Sequence, residues 1–135
     1  MRIGPLTLRN AILCDDVRIE KNNKHILIGV YSGDIVVKEL PAKLRLSFYL
    51  EFGASEIGDI PLEIRITGPG KRMGVMKAQF QSMEVGGPAI LVSPQMEIPI
   101  TEEGTIRVSA AIDKKKWRTI LEKKITLNPD FPAAS

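Results

Sequence analysis

Apolar and polar residues alternate strictly in Lys43–Phe52. Leu44, Leu46, Phe48, Leu50 and Phe52 take one parity, and Lys43, Arg45, Ser47, Tyr49 and Glu51 the other. Period two sends the first set to one face of a strand and the second to the opposite face. A helix would scatter the same five apolar residues around its circumference. The alternation returns in Leu62, Ile64 and Ile66, in Met96, Ile98 and Ile100, and in Ile106, Val108, Ala110 and Ile112. One dry face and one wet face is the signature of antiparallel sheets.

Other stretches add strands with weaker patterns. Ala11–Glu20 and Lys24–Tyr31 flank Lys21-Asn22-Asn23, a short polar connection that suits a hairpin. Ile26–Val30 is apolar at both parities, which predicts a central strand buried on both faces. Ser32-Gly33-Asp34 is a turn ahead of Ile35-Val36-Val37. Pro41 leads into the long alternating strand, and the last strand runs over Trp117–Leu127. In Arg72–Val85 the spacing of Met76, Phe80 and Met83 suits a helix face, while Met76, Ala78 and Phe80 suit a strand. The surroundings favour the strand.

Turn signals such as Gly68-Pro69-Gly70, Gly86-Gly87-Pro88 and Glu102-Glu103-Gly104 punctuate the chain. The rhythm predicts an all-β fold, a single antiparallel β-sandwich of about eight or nine strands, Ig-like or C2-like in general architecture. The domain is expected over residues 1–127, with a flexible C-terminal tail over 128–135. A chain of 135 residues with 44% hydrophobic and 26% charged positions has enough apolar material for one core.

The net charge of +3 is small but uneven. Residues 1–67 carry 9 basic and 9 acidic side chains, whereas residues 68–135 carry 10 and 7. Lys114, Lys115, Lys116, Trp117 and Arg118 concentrate the excess in the hairpin 113–124. An aromatic among cations can stack a base and hold phosphate, so these five are the candidate binding residues. The bland alternative, a soluble hairpin tip whose Trp packs on the fold, is the commoner use of such a run.

Chemistry beyond binding finds little support. Cys14 is the single cysteine, which excludes an internal disulfide and fits a reducing compartment. Its neighbours Asp15 and Asp16 oppose thiolate formation, so a buried structural thiol is expected rather than a nucleophile. His25, the single histidine, cannot make a zinc site alone. Asp15, Asp16 and Asp34 lack the clustering of a calcium loop. Gly68-Pro69-Gly70-Lys71-Arg72-Met73-Gly74 has the wrong glycine spacing for a dinucleotide loop. No apolar run reaches the length of a signal core or a membrane span. The expectation is a cytoplasmic, non-enzymatic protein without cofactor or metal and away from membranes. It would act as a protein-interaction or assembly module, with nucleic-acid or anion binding as the alternative.

Four stretches resemble a family of small uncharacterised bacterial proteins: Ala11–Arg18, Lys24–Tyr31, Gly33–Val37 and Leu40-Pro41-Ala42. The resemblance implies a bacterial or phage-associated cytoplasmic sandwich and carries over no site residues. It places Cys14, Arg18, Gly29, Tyr31 and Pro41 in a shared scaffold.

Overall fold

A computed structural model of the chain describes residues 1–131, without the side chains of residues 71–73. Its eleven strands are β1 (Arg2–Ile3), β2 (Leu6–Ile19), β3 (His25–Val30), β4 (Ile35–Val37), β5 (Ala42–Ala54), β6 (Gly58–Gly68), β7 (Lys71–Ser82), β8 (Pro88–Val92), β9 (Met96–Ile100), β10 (Gly104–Ala111) and β11 (Arg118–Leu127). The described residues contain no helix. Residues 132–135, the second half of the expected tail, lie outside the described residues. Before them, Asn128 donates its backbone N–H to Val37 O.

Two sheets share one core. In the first, β5 lies between β2 on one side and β8 and β9, end to end, on the other. Strands β1 and β3 both pair with the far edge of β2. The second sheet has the order β4-β11-β10-β6-β7. The alternation read in Lys43–Phe52 holds: Leu46, Phe48, Leu50 and Phe52 are fully buried and Leu44 nearly so. Each side chain of that kind contributes on the order of 1.5–3 kcal/mol through burial. Leu62, Ile64 and Ile66 meet them from the second sheet.

Residues 71–82 form a strand, as the surroundings favoured. They pair with β6 from Gly68↔Lys71 to Gly58↔Ser82. Met76, Ala78 and Phe80 are half-buried, while Val75, Lys77, Gln79 and Gln81 face water.

Three features depart from the sequence reading. The strand count exceeds eight or nine because β1 is only two residues long and β8 is apolar at both parities, so neither shows alternation. The sheets are not wholly antiparallel: β4 runs parallel to β11, with Ile35↔Ile125 in register. The chain crosses from the first sheet to the second between β3 and β4, so this three-residue strand arrives in the same direction as its neighbour. Finally, Ile26–Val30 is not a central strand. Among the described residues β3 pairs with β2 alone and sits at a sheet edge, with Ile26, Ile28 and Val30 exposed at 41%, 39% and 50%.

The position of β3 follows from a bend in β2. Tyr49 lies across from Ile12, and His25 lies across from Ile19, further along β2. Yet the His25 and Tyr49 rings meet edge-on with centroids 5.4 Å apart. The β2–β3 hairpin therefore curls back over the outer face of the first sheet. Cys14 and Ser47 face each other on that side, and both are fully buried. Ser47 is consequently buried despite its polar parity. Its hydroxyl donates to Ser93 O at 2.8 Å, and Phe48 N–H donates to Ser93 Oγ at 2.8 Å. These bonds tie the break between β8 and β9, at Ser93-Pro94-Gln95, to the central strand.

Candidate functional site

The basic hairpin is a loop at 112–117 between β10 and β11. Lys114 adopts a φ of 62° and places Nζ 3.5 Å from Glu63 Oε1, a carboxylate also approached by Lys77 at 3.9 Å. Trp117 is half-buried, and the Arg65 guanidinium carbon lies 4.2 Å from its ring centroid. Arg118 donates to Arg2 O at 3.1 Å. The fold thus turns three of the five candidate residues toward other parts of the chain. Lys115 and Lys116 remain exposed beside a pocket of about 240 Å³ that Ile3, Gly4 and Ile112 also line.

The β2–β3 hairpin assembles a different constellation. Beyond Cys14, β2 stops pairing with β5, which continues against β9. The divergence opens a cleft of about 450 Å³ lined by Asp15, Arg18, Tyr31, Lys43, Arg45 and Gln95, among others. Tyr31 donates its hydroxyl to Asp15 Oδ1 at 2.9 Å, and Gln95 Nε2 donates to Asp15 O at 2.9 Å. Burial raises the Tyr31 pKa far above its ordinary value, and the Asp15 hydrogen bond and charge add to the rise. Tyr31 is thereby fixed as a donor. Gly29 has a φ of 69° and abuts the Asp15 carboxylate. Arg18 pairs with Asp16 at 3.4 Å, and Lys43 with Glu97 at 3.5 Å. The stretches Ala11–Arg18 and Lys24–Tyr31, noted in the sequence as motif, are the two strands of this hairpin.

Cys14 and His25 do not form a catalytic pair. Cys14 Sγ lies 3.4 Å from Asp16 O and 3.6 Å from Ser47 O, while the His25 ring packs on Tyr49. Burial pushes the Cys14 thiol up, and the Asp15 and Asp16 charges add to that. Among the described residues, no three His, Cys, Asp or Glu side chains are placed to hold a metal. No helix there is long and apolar enough to cross a membrane.

The outer edge of β3 completes the hairpin. Ile26, Ile28 and Val30 form one exposed row, with Ile19 at the hairpin tip 65% exposed. Lys21 and Lys24 lie exposed before the strand, and Asp34 lies exposed after it. The sequence missed this edge because an apolar run at both parities looks the same whether it is central or peripheral. The neighbouring charges were the available clue.

A family model described as a family of unknown function, DUF6941, matches residues 9–121. The chain belongs to this family. The DUF6941 match takes in β2 from Arg9 onward, β3, the cleft at the base of their hairpin and the central strand β5. No curated protein matches the chain. Among solved structures, a β-glucosidase from Listeria innocua in complex with isofagomine is similar at 9% identity and a TM-score of 0.42, over 90% of this chain and 16% of that one. A β-glucosidase from Erythrobacter marinus is similar at 14% identity and a TM-score of 0.37, over 67% of this chain and 14% of that one. The chain spans less than a fifth of either enzyme.

Proposed function

We propose that this domain is a protein-interaction and assembly module that accepts a β-strand on the outer edge of β3. The architecture behind it is an open β-sandwich of the Ig-like or C2-like kind, offering several edges. The carrying observation is the exposed row Ile26, Ile28 and Val30 on a strand paired along one side only. Such an edge gains backbone hydrogen bonds and side-chain contacts when a further strand is added.

The other edges carry features that discourage pairing. β8 and β9 contain Pro88 and Pro99 and are separated by Pro94. β7 carries Lys77 in its middle, 73% exposed. β1 and β4 are two and three residues long. β3 contains neither a proline nor an acidic, Lys or Arg side chain. Its fitting partner is an extended segment with apolar residues at alternate positions.

A synthetic peptide spanning Lys24–Tyr31 is a suitable probe, read by amide hydrogen exchange on the full chain. Slower exchange confined to residues 25–30, lost in Ile28→Lys, supports strand addition. Unchanged exchange at saturating peptide in a monomeric chain removes the proposal. A second reading, anion binding at Lys115 and Lys116, is supported by their exposure beside the loop pocket. It predicts salt-dependent retention of single-stranded DNA, lost in the Lys115→Ala, Lys116→Ala double variant.

A further inference from the structure

We infer that the strand added to β3 comes from a second copy of this chain, joined antiparallel about a two-fold axis at Ile28. The inference rests on the strand-addition reading above and names its partner.

Register favours this pairing. A two-fold at Ile28 sets Ile28 of each copy against its equivalent and Ile26 of each against Val30 of the other. All three residues share one parity and are exposed, so the pairing produces one continuous apolar row. A shift of one residue would place this row opposite side chains on the other face. The six residues of β3 give an edge about 20 Å long. The resulting order β2-β3-β3-β2 buries an edge that each copy alone leaves open.

Charge favours it as well. Lys21 and Lys24 stand at the start of β3, and Asp34 stands beyond its end. Among the described residues, none of the three has an ion-pair partner. Antiparallel pairing brings the cationic start of each strand to the anionic end of the other. Lys24 falls opposite Ser32 of the second copy, with Asp34 two residues on. A parallel arrangement would stack like charges at both ends. An isologous contact of this type closes on itself and makes a dimer rather than a filament.

The positive φ of Gly29 bends this edge, and a bend can discourage pairing. Glycine at this position also serves the hairpin itself, because any Cβ there would meet the Asp15 carboxylate. Gly29 also leaves a gap opposite Leu27 of the second copy, so no side chain obstructs the approach.

Sedimentation velocity on the full chain over a range of concentrations tests the inference. The expected result is a monomer–dimer equilibrium whose dissociation constant rises about tenfold or more in Ile28→Glu. Lys24→Glu and Asp34→Lys are each expected to weaken the dimer about two- to fivefold. An equal mixture of those two variants regains it as a heterodimer, because each then carries the charges the other lacks. Circular dichroism melting controls for folding of every variant. A wild-type chain that stays monomeric overturns self-pairing, as does a dimer unaffected by Ile28→Glu or by the charge exchange. Peptide protection of residues 25–30 in a monomeric chain would preserve strand addition while rejecting the second copy. Absence of protection as well would reject both.

Discussion

Gly29 lies against the carboxylate of Asp15 with a φ of 69°. Two separate penalties therefore meet any larger residue at this position. A left-handed conformation costs a non-glycine residue about 1–2 kcal/mol, and its Cβ would overlap the Asp15 carboxyl. Gly29→Ala is expected to lower unfolding stability by about 2 kcal/mol or more. Adding Asp15→Ala should recover part of that loss, because it removes the overlap but leaves the backbone penalty. Urea denaturation of the two single variants and the double variant measures the coupling. Additive losses would mean that the contact has no energetic weight.

Tyr31 gives the protein an alkaline limit. Burial and the Asp15 contact raise its folded pKa above the ordinary value of 10.0. A raised pKa means that the folded state holds this proton more tightly than the unfolded chain does. The associated stability is complete below about pH 10 and falls away as pH rises toward the folded pKa. Stability measured from pH 8 to 11 should decline at the upper end, and Tyr31→Phe should flatten that slope. The same substitution should cost about 1 kcal/mol at neutral pH through the lost hydrogen bond. An alkaline slope unchanged in Tyr31→Phe would contradict this assignment.

The pattern along the chain made the core legible and left the hairpin ambiguous, for a physical reason. Where one face is dry and the other wet, as from Leu44 to Phe52, burial is written directly into parity. The turn at Pro69-Gly70 is equally plain, since glycine and proline mark it locally. Ile26–Val30 has no such contrast. Its edge position depends on the bend after Cys14 and on β2 pairing with β5 only as far as that residue, both tertiary outcomes. The same holds for the cleft at Asp15. Arg18, Tyr31, Lys43 and Gln95 are dispersed in sequence, and only the divergence of β2 from β5 gathers them. For the basic loop, composition identified the charges, but it could not reveal that Glu63 and Arg65 engage Lys114 and Trp117.

The Arg65–Trp117 contact predicts a specific optical behaviour. Trp117 is the single tryptophan of the chain, so its emission reports this site alone. Arg65→Ala should shift the emission to longer wavelength and cost about 0.5–2 kcal/mol, as the ring loses its cation and gains water. Single-stranded DNA added at low salt should leave the emission unchanged, because the guanidinium already occupies the ring face. Strong quenching by DNA would show that Arg65 yields to a stacked base.

Ser93 offers the sharpest stability test. Its hydroxyl accepts from Phe48 N–H at 2.8 Å and lies 3.2 Å from Ser47 Oγ, with all three residues buried. Ser93→Ala leaves the Phe48 amide without its acceptor in a dry setting, at a cost of about 1–3 kcal/mol. The consequence should reach Cys14, which packs opposite Ser47 beneath the hairpin. Cys14 is fully buried and its thiol is pushed up by that burial, so in the native protein a thiol reagent should react only as fast as the fold opens. Ser93→Ala should accelerate this labelling in proportion to its loss of stability if opening is global. Acceleration well beyond that proportion would mean that the hairpin lifts locally, with the rest of the fold intact. Labelling of the wild-type chain as rapid as that of the urea-unfolded chain would contradict the buried position of Cys14.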